Sequence, residues 1–320
     1  MNHIINPINI EVGVKGFLRC RCINKYSGKT TQDTGWFPNT ILNAGKNVMA
    51  TRSDWMNYCQ VGVDGTFPPL LADRQAETSL GSWHAGTANV TTTSYGQAGS
   101  PPYYGYKRKT WRFLAGTVAT NLSEAGVGWA VGPGSSIMCR APILDPVLQT
   151  PTTVTPLADE LLDVMYELRY YPPLVDVTSP QVTLDGITYN TITRAANVTG
   201  EAWSASIGSA IGVGNILYWI AYDGDIGAIT SSPSGASSGG SSYRTLTNSA
   251  YSNNSYMLQV NCSAQSLGWN LGAGIRSILI RTTAGDYQTQ FNAVGTDNRI
   301  PKTSGYTMTM NWIISWTEKV

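Results

Sequence analysis

Charged side chains are scarce in this sequence of 320 residues: Asp, Glu, Lys and Arg make up 13% of it, roughly half the usual share of a soluble domain. The 21 basic and 20 acidic residues leave a net charge of only +1. So neutral a chain has no global field to attract nucleic acid or an anionic membrane. Its solubility must come from hydroxyl and amide side chains, which suits a protein that packs against copies of itself. Composition leaves an ordinary secreted β-protein open as the alternative.

Long apolar runs are also missing. The longest one, at residues 216–222, is far too short to span a bilayer, which requires roughly 20 apolar residues. The first seven residues contain neither the basic stretch nor the hydrophobic stretch of a secretory signal. We therefore expect no membrane insertion and a protein that folds in a cytoplasm.

Histidine and cysteine are few. The histidines are His3 and His84, and the cysteines are Cys20, Cys22, Cys59, Cys139 and Cys262. An odd, scattered set of cysteines is a poor disulfide framework. Cys20 and Cys22 lie two apart in a predicted strand and so on one face, but a metal site would need two more ligands nearby. The sequence therefore predicts buried free thiols, with no metal and no cofactor.

Catalytic motifs are absent as well: the sequence has no phosphate loop, dinucleotide fingerprint, zinc-protease motif or nucleophile elbow. We interpret His84 as a structural or surface residue, because no nucleophile and acid are placed to act with it. Residues 223–225, Asp-Gly-Asp, could offer oxygens to Ca²⁺, but a tight turn is the favoured interpretation. The acidic residues Asp159, Glu160 and Asp163 leave glycoside hydrolysis open, although Asp163 is expected to be solvated. We predict that the protein has no catalytic residue and is not an enzyme.

What the sequence has in abundance is hydrophobic alternation of period two. It recurs at residues 17–22, 111–115, 162–170 and 307–316, and each run predicts a half-buried antiparallel strand. A helical pattern is clear only near residues 43–57, where Asn43 is placed to cap a short helix. The predicted fold class is mainly β, with antiparallel β-sandwich-like domains and one short helix in the N-terminal half.

The domain organisation follows from a strand that runs into Pro172 and Pro173, since proline ends strand pairing. We predict two β domains, 1–172 and 173–320. The second contains the segment SSPSGASSGGSS at residues 231–242, which is expected to be a long exposed loop. Another loop is expected over roughly residues 85–106, which are rich in Thr, Gly, Ser and Pro.

One segment combines aromatic rings with cations and is the candidate site. Its residues are Tyr103, Tyr104, Tyr106, Lys107 and Arg108, with Trp83 upstream. Aromatic side chains beside cations can stack on sugar rings or contact phosphate. The same segment could instead pack against a neighbouring subunit, where tyrosine provides contact area at low entropic cost. We favour the subunit interface over the glycan-contact site.

Three further segments contain packing motifs. They are WFPNTILNAG at 36–45 with YCQVGVD at 58–64, LADELLDVMYELR at 157–169 within 141–171, and IPKT at 300–303 followed by the final alternating strand ending at Trp316. In this order they resemble a family of tailed-bacteriophage virion proteins known as tail-fibre, collar or neck proteins. That family shows an aromatic–x–Asn–x–Ile–x–Asn–Ala–Gly run, a short helix and then a glycine-containing strand.

The resemblance implies a β-rich protomer, localised to the virion after assembly in the host cytoplasm. It would form a homo-oligomer, a trimer by default, in contact with other tail, neck or head–tail connector proteins. The alternative is a receptor-binding module whose loops recognise host surface saccharide, and a polysaccharide depolymerase is less favoured. Residues 103–109 and 231–242 depart from the family pattern, so contact with a host is expected there.

Overall fold

The computed structural model describes residues 2–52, 54–63, 84–130, 137–184, 186–204, 218–238, 244–264, 270–293, 299–302, 305 and 307–319. Strands account for 56% of the protein and helices for 5%, which confirms the predicted mainly-β class. In the described residues, no helix is long and apolar enough to cross a membrane. The sequence also carries turn signals at 64–65 (Asp-Gly) and 132–134 (Gly-Pro-Gly) and the pattern of a short helical turn near 70–75, and these segments lie outside the described residues.

Seventeen strands and two helices lie within these described ranges. The N-terminal strands are β1 (Asn2–Asn24), β2 (Thr30–Asp33), β3 (Phe37–Ile41), β4 (Tyr58–Gly62), β5 (His84–Gln97), β6 (Gly105–Phe113), β7 (Glu124–Gly128), β8 (Ile137–Pro142) and β9 (Glu160–Tyr171). The C-terminal strands are β10 (Val177–Leu184), β11 (Ile187–Ala196), β12 (Tyr218–Tyr222), β13 (Arg244–Asn248), β14 (Met257–Ala264), β15 (Ser277–Thr282), β16 (Gly285–Ala293) and β17 (Thr307–Glu318). The helices are α1 (Asn43–Thr51) and α2 (Glu201–Ser204).

The chain divides into two compact units, each made of several segments. The barrel unit comprises residues 14–95, 106–169 and 318–320, and the second unit comprises residues 1–13, 96–105 and 170–317. One changeover falls between Arg169 and Tyr170, close to the predicted boundary at 172/173. Because a compact unit is not the same as an independently folding domain, the two predicted domains stay a prediction.

The barrel unit contains a closed antiparallel sheet. Going round it, the neighbouring strands are β1, β3, β8, β7, β4, β5, β6 and β9, and pairing of β9 with β1 closes the ring. Apolar side chains of the alternating runs lie inside, among them Leu18, Trp111, Phe113, Val164 and Leu168. Alternation correctly predicted these inward residues. The sequence-based prediction favoured a sandwich over a barrel, because a local pattern does not show which distant strands pair at the edges of a sheet.

Helix α1 is shorter than predicted and packs on strand β8. It ends at Thr51 rather than near residue 57, because the backbone at Arg52 adopts an extended conformation. Leu42 occupies the N-cap position without a side-chain hydrogen bond, so the predicted capping by Asn43 is wrong. Gly45 allows the close approach to β8: a Cβ there would lie 2.2 Å from the carbonyl oxygen of Met138.

The second unit has a five-stranded sheet in the order β10, β11, β16, β15, β12. Strands β13, β14 and β17 form a further run that continues into β1. The even-numbered residues of β17 from Met308 to Trp316 are buried, as the alternation predicted. Among them, the Trp312 ring meets the Trp219 ring of β12 edge to face, with centroids 5.6 Å apart. Such pairs stabilise a core beyond the area they bury.

Two segments that the sequence predicts as loops are more regular than expected. Strands β5 and β6 occupy most of residues 85–106, so only 98–104 connect them. Polarity led to the wrong prediction, although β-branched threonine favours extended backbone. Within 231–242, backbone hydrogen bonds join Ser234 to Asp225, Ala236 to Asp223, and Ser238 to Ala221. Residues 234–238 are therefore hydrogen-bonded to β12 and to the chain that follows it, while 239–242 lie outside the described residues.

The Gly45 contact yields a stability prediction. Gly45→Ala is expected to destabilise the protein by about 1–3 kcal/mol, because the added methyl group overlaps backbone that cannot move away cheaply. Gly99→Ala is the control, since nothing lies within 4 Å of a Cβ at that position. Urea unfolding of the two variants beside the parent measures the difference. Equal midpoints for Gly45→Ala and the parent would show that the helix moves away from β8 without cost.

Candidate functional site

The structure divides the predicted aromatic and cationic segment between the two units. Tyr103 and Tyr104 belong to the second unit, where the Tyr104 ring lies 5.6 Å from the ring of Tyr171. Tyr106, Lys107 and Arg108 belong to the barrel unit and lie in strand β6. Trp83 lies outside the described residues. The five described members therefore do not form one loop, and whether they contact a ligand stays a prediction.

Strand geometry places neighbouring members of this segment on opposite faces of β6. Tyr106 and Arg108 are half-buried on the outer face, whereas Lys107 and Lys109 are only 7% exposed on the inner one. Successive side chains of a strand point to opposite faces, so consecutive cations cannot form one surface patch. Lys107 and Arg108 therefore lie on opposite faces of β6.

The two inward lysines face aromatic rings and backbone oxygens. The Lys107 ammonium lies 5.6 Å from the ring centroid of Tyr95 and 6.0 Å from that of Trp55. Lys109 donates hydrogen bonds to the carbonyl oxygen of Met56 at 2.8 Å and to Oδ1 of Asn57 at 3.2 Å. Burial, with the charge of Lys107 adding to it, lowers the pKa of Lys109 to about 8. Burial also lowers the pKa of Lys107.

The outer face of the same part of the barrel carries a group of arginines, which we call the arginine face. Its members are Arg19 and Arg21 on β1, Arg108 and Arg112 on β6, and Arg169 on β9. Their side chains are between 22% and 44% exposed, and each lies within 4 Å of the carboxylate of Asp33, Asp163 or Glu167. Because β9 lies between β6 and β1 in the barrel, the three strands present one continuous outer surface.

Asp163 anchors one half of this surface. Arg112 donates two hydrogen bonds of 2.6 Å to it, from Nε to Oδ1 and from Nη2 to Oδ2. The Nη2 atom of Arg21 approaches Oδ2 from the neighbouring strand at 3.9 Å. Asp163 is only 2% exposed, so the prediction that it is solvated is wrong. Alternation correctly places it opposite the barrel interior, but it cannot reveal that arginines from both adjacent strands cover it.

Glu167 anchors the other half. Its Oε2 atom accepts hydrogen bonds from Nε and Nη2 of Arg108, and its Oε1 atom accepts one from Nε of Arg169. Aromatic rings flank the guanidinium groups: Arg108 lies 5.0 Å from the ring of Trp36, and Arg169 lies 4.2 Å from that of Phe17. A guanidinium held by a carboxylate and a ring loses little freedom when it binds a further anion.

A groove of about 490 Å³ opens beside Arg112. It is lined by part of β5 and by the residues after β6, with hydroxyl or amide groups from Thr87, Asn89, Thr91 and Thr117. Gly86 also lines it and lies close to Val118, since a Cβ at Gly86 would be 2.6 Å from Cγ1 of Val118. The groove and the arginine face share Arg112 and both lie within the barrel unit.

The other sequence candidates make structural contacts. Asp223 Oδ1 accepts the backbone N–H of Ala236, and Asp225 Oδ1 accepts hydrogen bonds from Arg276 and Gln290, so groups distant in sequence engage both carboxylates. For His84 the structure describes the backbone but not the side chain.

The cysteines lie in the protein interior. All five are buried and free, which confirms that part of the prediction. Burial raises the thiol pKa of Cys20, Cys22, Cys59 and Cys139, and so suppresses the reactive thiolate. In the part of the chain that the structure describes, no group of three or more His, Cys, Asp or Glu residues is placed to hold a metal ion.

Sequence reasoning missed four of the five members of the arginine face. A signal was present: Arg19 and Arg21 are two residues apart, and Arg108 and Arg112 are four apart, so each pair lies on one side of its strand. Asp163 and Glu167 show the same spacing. The signal does not reveal that the three strands are neighbours, which depends on closure of the barrel.

Comparison with known proteins adds no relative: no family model, no curated protein and no solved structure matches this chain. The resemblance to tailed-phage virion proteins is therefore carried by the sequence motifs alone.

Because Glu167 is paired with two arginines, removing its charge should lower the stability of the protein strongly. Glu167→Gln is expected to destabilise the protein by about 2 kcal/mol, because Arg108 and Arg169 would face each other across a neutral amide. The control is Asp54→Asn, which breaks an exposed pair with Arg52 and should cost about 0.5 kcal/mol. Equilibrium unfolding in urea at low salt compares the two. Equal losses would mean that Glu167 is no more important than a surface carboxylate.

The lowered pKa of Lys109 predicts a characteristic pH dependence. Between about pH 8 and the ordinary lysine pKa of 10.5, the unfolded chain binds more protons than the folded protein. The free energy of unfolding therefore gains a contribution, on the order of 1–3 kcal/mol, as pH rises through this window. Lys109→Met should lose this contribution, whereas Lys29→Met, which alters an exposed lysine, should keep it. Urea unfolding from pH 7 to 10.5 tests this, and parallel curves for the parent and Lys109→Met would contradict it.

Proposed function

We propose that the chain is a structural component of a tailed-phage virion, a homo-oligomeric tail-fibre or collar/neck protein attached to the tail or the head–tail connector. The motifs at 36–64, 141–171 and 300–316 support the family. The observation that carries the self-assembly is an uncharged sheet surface in the second unit, formed by strands β14 and β17.

The outward residues of these two strands are uncharged where the strands pair, and all of them except Ile313 are polar. Gln259, Asn261 and Ser263 on β14 lie opposite Ile313, Asn311 and Thr309 on β17. All six are half-buried. The Ser263 and Thr309 hydroxyls share a hydrogen bond of 2.8 Å, and Gln259 donates one to Asn261 at 3.2 Å.

Such a surface suits contact with another protein chain. Charged residues are depleted from the centres of protein interfaces, since they must be desolvated there. Amide and hydroxyl groups can exchange partners with a second copy at a lower desolvation cost. We therefore assign this surface to contact between protomers.

The finer architecture of the second unit belongs to the same proposal. We assign it a β-sandwich in which the five-stranded sheet faces strands β14 and β17. The edge-to-face contact between Trp219 of β12 and Trp312 of β17 supports this arrangement, because it joins the two sheets through their buried side chains.

The proposal includes no catalytic activity. Hydrolysis of a polysaccharide would need a pair of carboxylates free to act as acid and base or nucleophile. Asp163 and Glu167 are instead engaged by arginines. These engagements favour a structural role over a depolymerase.

The mass in solution tests the assembly. The purified protein is expected to elute as a discrete oligomer, by default a trimer of the 34.5 kDa protomer. The double variant Asn261→Arg/Asn311→Arg should shift it to smaller species, because it places like charges at the proposed contact. Thr120→Arg, which adds one exposed charge in the barrel unit, is the control. Size exclusion with light scattering measures the mass. A monomer at every concentration would overturn the proposal, and an unchanged oligomer in the double variant would exclude this surface.

A further inference from the structure

A buried lysine of the barrel unit lies against the side chain of an asparagine. The Nζ atom of Lys109 on β6 is 3.2 Å from Oδ1 of Asn57, the residue directly before β4, and 2.8 Å from the carbonyl oxygen of Met56. Lys109 is only 7% exposed, and its neighbours Trp55 and Met56 are each 1% exposed. The amine and the carboxamide therefore meet where little water reaches the amine.

Asn57 is held in place through its backbone. Its N–H group donates to the carbonyl oxygens of Asp54 and Gly128, and its carbonyl oxygen accepts from the N–H of Val90 and from Nε1 of Trp111. All four hydrogen bonds are 3.0–3.1 Å long. The Nδ2 atom of Asn57, by contrast, has no hydrogen-bond partner among the described residues. The carboxamide is thus fixed at its oxygen while its nitrogen is free to leave.

Fixing both groups favours a reaction between them. The Met56 carbonyl oxygen anchors Nζ, and the backbone anchors Asn57, so the two side chains stay at contact distance. Holding two reactants in this way turns an encounter in solution into a step within one molecule, which raises the rate by many orders of magnitude. The geometry therefore favours chemistry between an amine and a carboxamide that is negligible in free solution.

Burial also prepares the amine to react. Burial, together with the charge of Lys107, lowers the pKa of Lys109 to about 8. At mildly basic pH a large share of Lys109 is therefore the neutral amine. The neutral amine, and not the ammonium ion, is the form that attacks a carbonyl carbon.

A carboxylate lies at the beginning of the same turn. The charge of Asp54 acts on Lys109 and raises its pKa, against the effects of burial and of Lys107. Hydrogen bonds from Arg52 lower the pKa of Asp54, so this carboxyl group stays ionised. Because a carboxylate has about four lone-pair sites and Arg52 occupies two, Asp54 can still accept a proton from the amine.

We propose that Lys109 and Asn57 join spontaneously in an isopeptide bond, which ties β6 to the turn before β4. Nζ of the neutral amine attacks Cγ of Asn57, the bond between Cγ and Nδ2 breaks, and Nδ2 leaves as ammonia. The proton that Nζ gives up passes to Nδ2 with Asp54 as its carrier, so atoms and charge balance without a co-reactant. Since Asn57 is only half-buried, the ammonia has a way out to solvent.

The bond changes the barrel unit in two ways. A neutral amide replaces a buried ammonium group, which removes the cost of desolvating its charge. The link also closes a loop of about 50 residues and so restricts the unfolded chain, as a disulfide does. All five cysteines are free, so no disulfide has this role. The pH-dependent stability predicted above belongs to the protein before the bond forms, because an amide nitrogen does not titrate there.

The inference is independent of the proposed role in a virion. Asp54, Asn57 and Lys109 all lie in the barrel unit of one chain, whereas the proposed contact between protomers lies in the second unit. The mass of the single chain reports the bond, and the mass of the assembled particle in solution reports the oligomer. Failure of either proposal would leave the other standing.

Mass spectrometry of the full chain tests the inference. The protein is purified at about pH 6, where Lys109 is protonated, and is then incubated at about pH 9. The chain is expected to lose the mass of one ammonia, and a chain that is already lighter on purification reports the same bond. Trypsin should then release residues 53–74 joined to residues 109–112. The rate should rise with pH and level off above about pH 8, because it follows the fraction of neutral amine.

Variants identify the reacting groups. Lys109→Met and Asn57→Ala should each keep the full mass, whereas Lys29→Met, which alters an exposed lysine, should react like the parent. Asp54→Asn should slow the reaction about tenfold or more, since it removes the proton carrier. Thermal unfolding of each variant verifies that it is folded, and the joined peptides of the parent report the bond even where a variant does not fold.

Three results would overturn the inference. One is an unchanged mass after prolonged incubation at about pH 9. Another is loss of ammonia without the joined peptides, which would indicate a succinimide at an asparagine or a bond at another pair, such as Lys302 with Asn270. The third is the same loss in Lys109→Met. Equal rates for Asp54→Asn and the parent would overturn the assignment of Asp54 as the proton carrier.

Discussion

The carboxyl groups of Asp163 and Glu167, on the strand that closes the barrel, are almost completely removed from water. Burying an unpaired charge costs several kcal/mol, so each must have a cation within reach. The cations come from the strands on either side: Arg112 and Arg108 from β6, and Arg21 from β1. Since β9 joins β6 to β1 and so completes the ring, these ion pairs lie across the seam of the barrel. A slip of one residue along β9 would move both carboxylates to the apolar interior, so the pairs also fix the register.

The same alternation explains why the interior of the barrel is not purely apolar. If Arg108 and Arg112 lie outside on β6, residues 107 and 109 must point inside, and both are lysines. Desolvation disfavours their charge, as the lowered pKa of each shows. Contacts offset part of that cost: aromatic rings lie near Lys107, and Lys109 donates to the carbonyl oxygen of Met56. Lys109 thereby ties β6 to the turn that follows helix α1, a connection that an apolar side chain could not make.

Local pattern predicts strands well and their neighbours poorly in this chain. The runs at 162–170 and 307–316 were identified correctly, together with the faces they bury, because period two is a property of a single strand. Closure of the barrel depends on pairing between β1 and β9, which lie more than a hundred residues apart, and no local pattern encodes it. The candidate site was predicted incompletely for the same reason. Arg108 was found from its neighbours in sequence, whereas Arg19, Arg21 and Arg169 join it only through strands that are adjacent in space. Where polarity was used in place of pattern, at residues 85–106, even the strands were missed.

The few charges of this chain are distributed unevenly over its surface. Strands β14 and β17 present only uncharged side chains at the six outward positions that face each other in register, so this surface can be buried against a copy without desolvating an ion. The arginine face has the opposite property. In a two-fold symmetric contact the same patch meets itself, and the half-exposed arginines of both copies would have to be desolvated against each other. The distribution of charge therefore favours self-contact at one surface and disfavours it at the other.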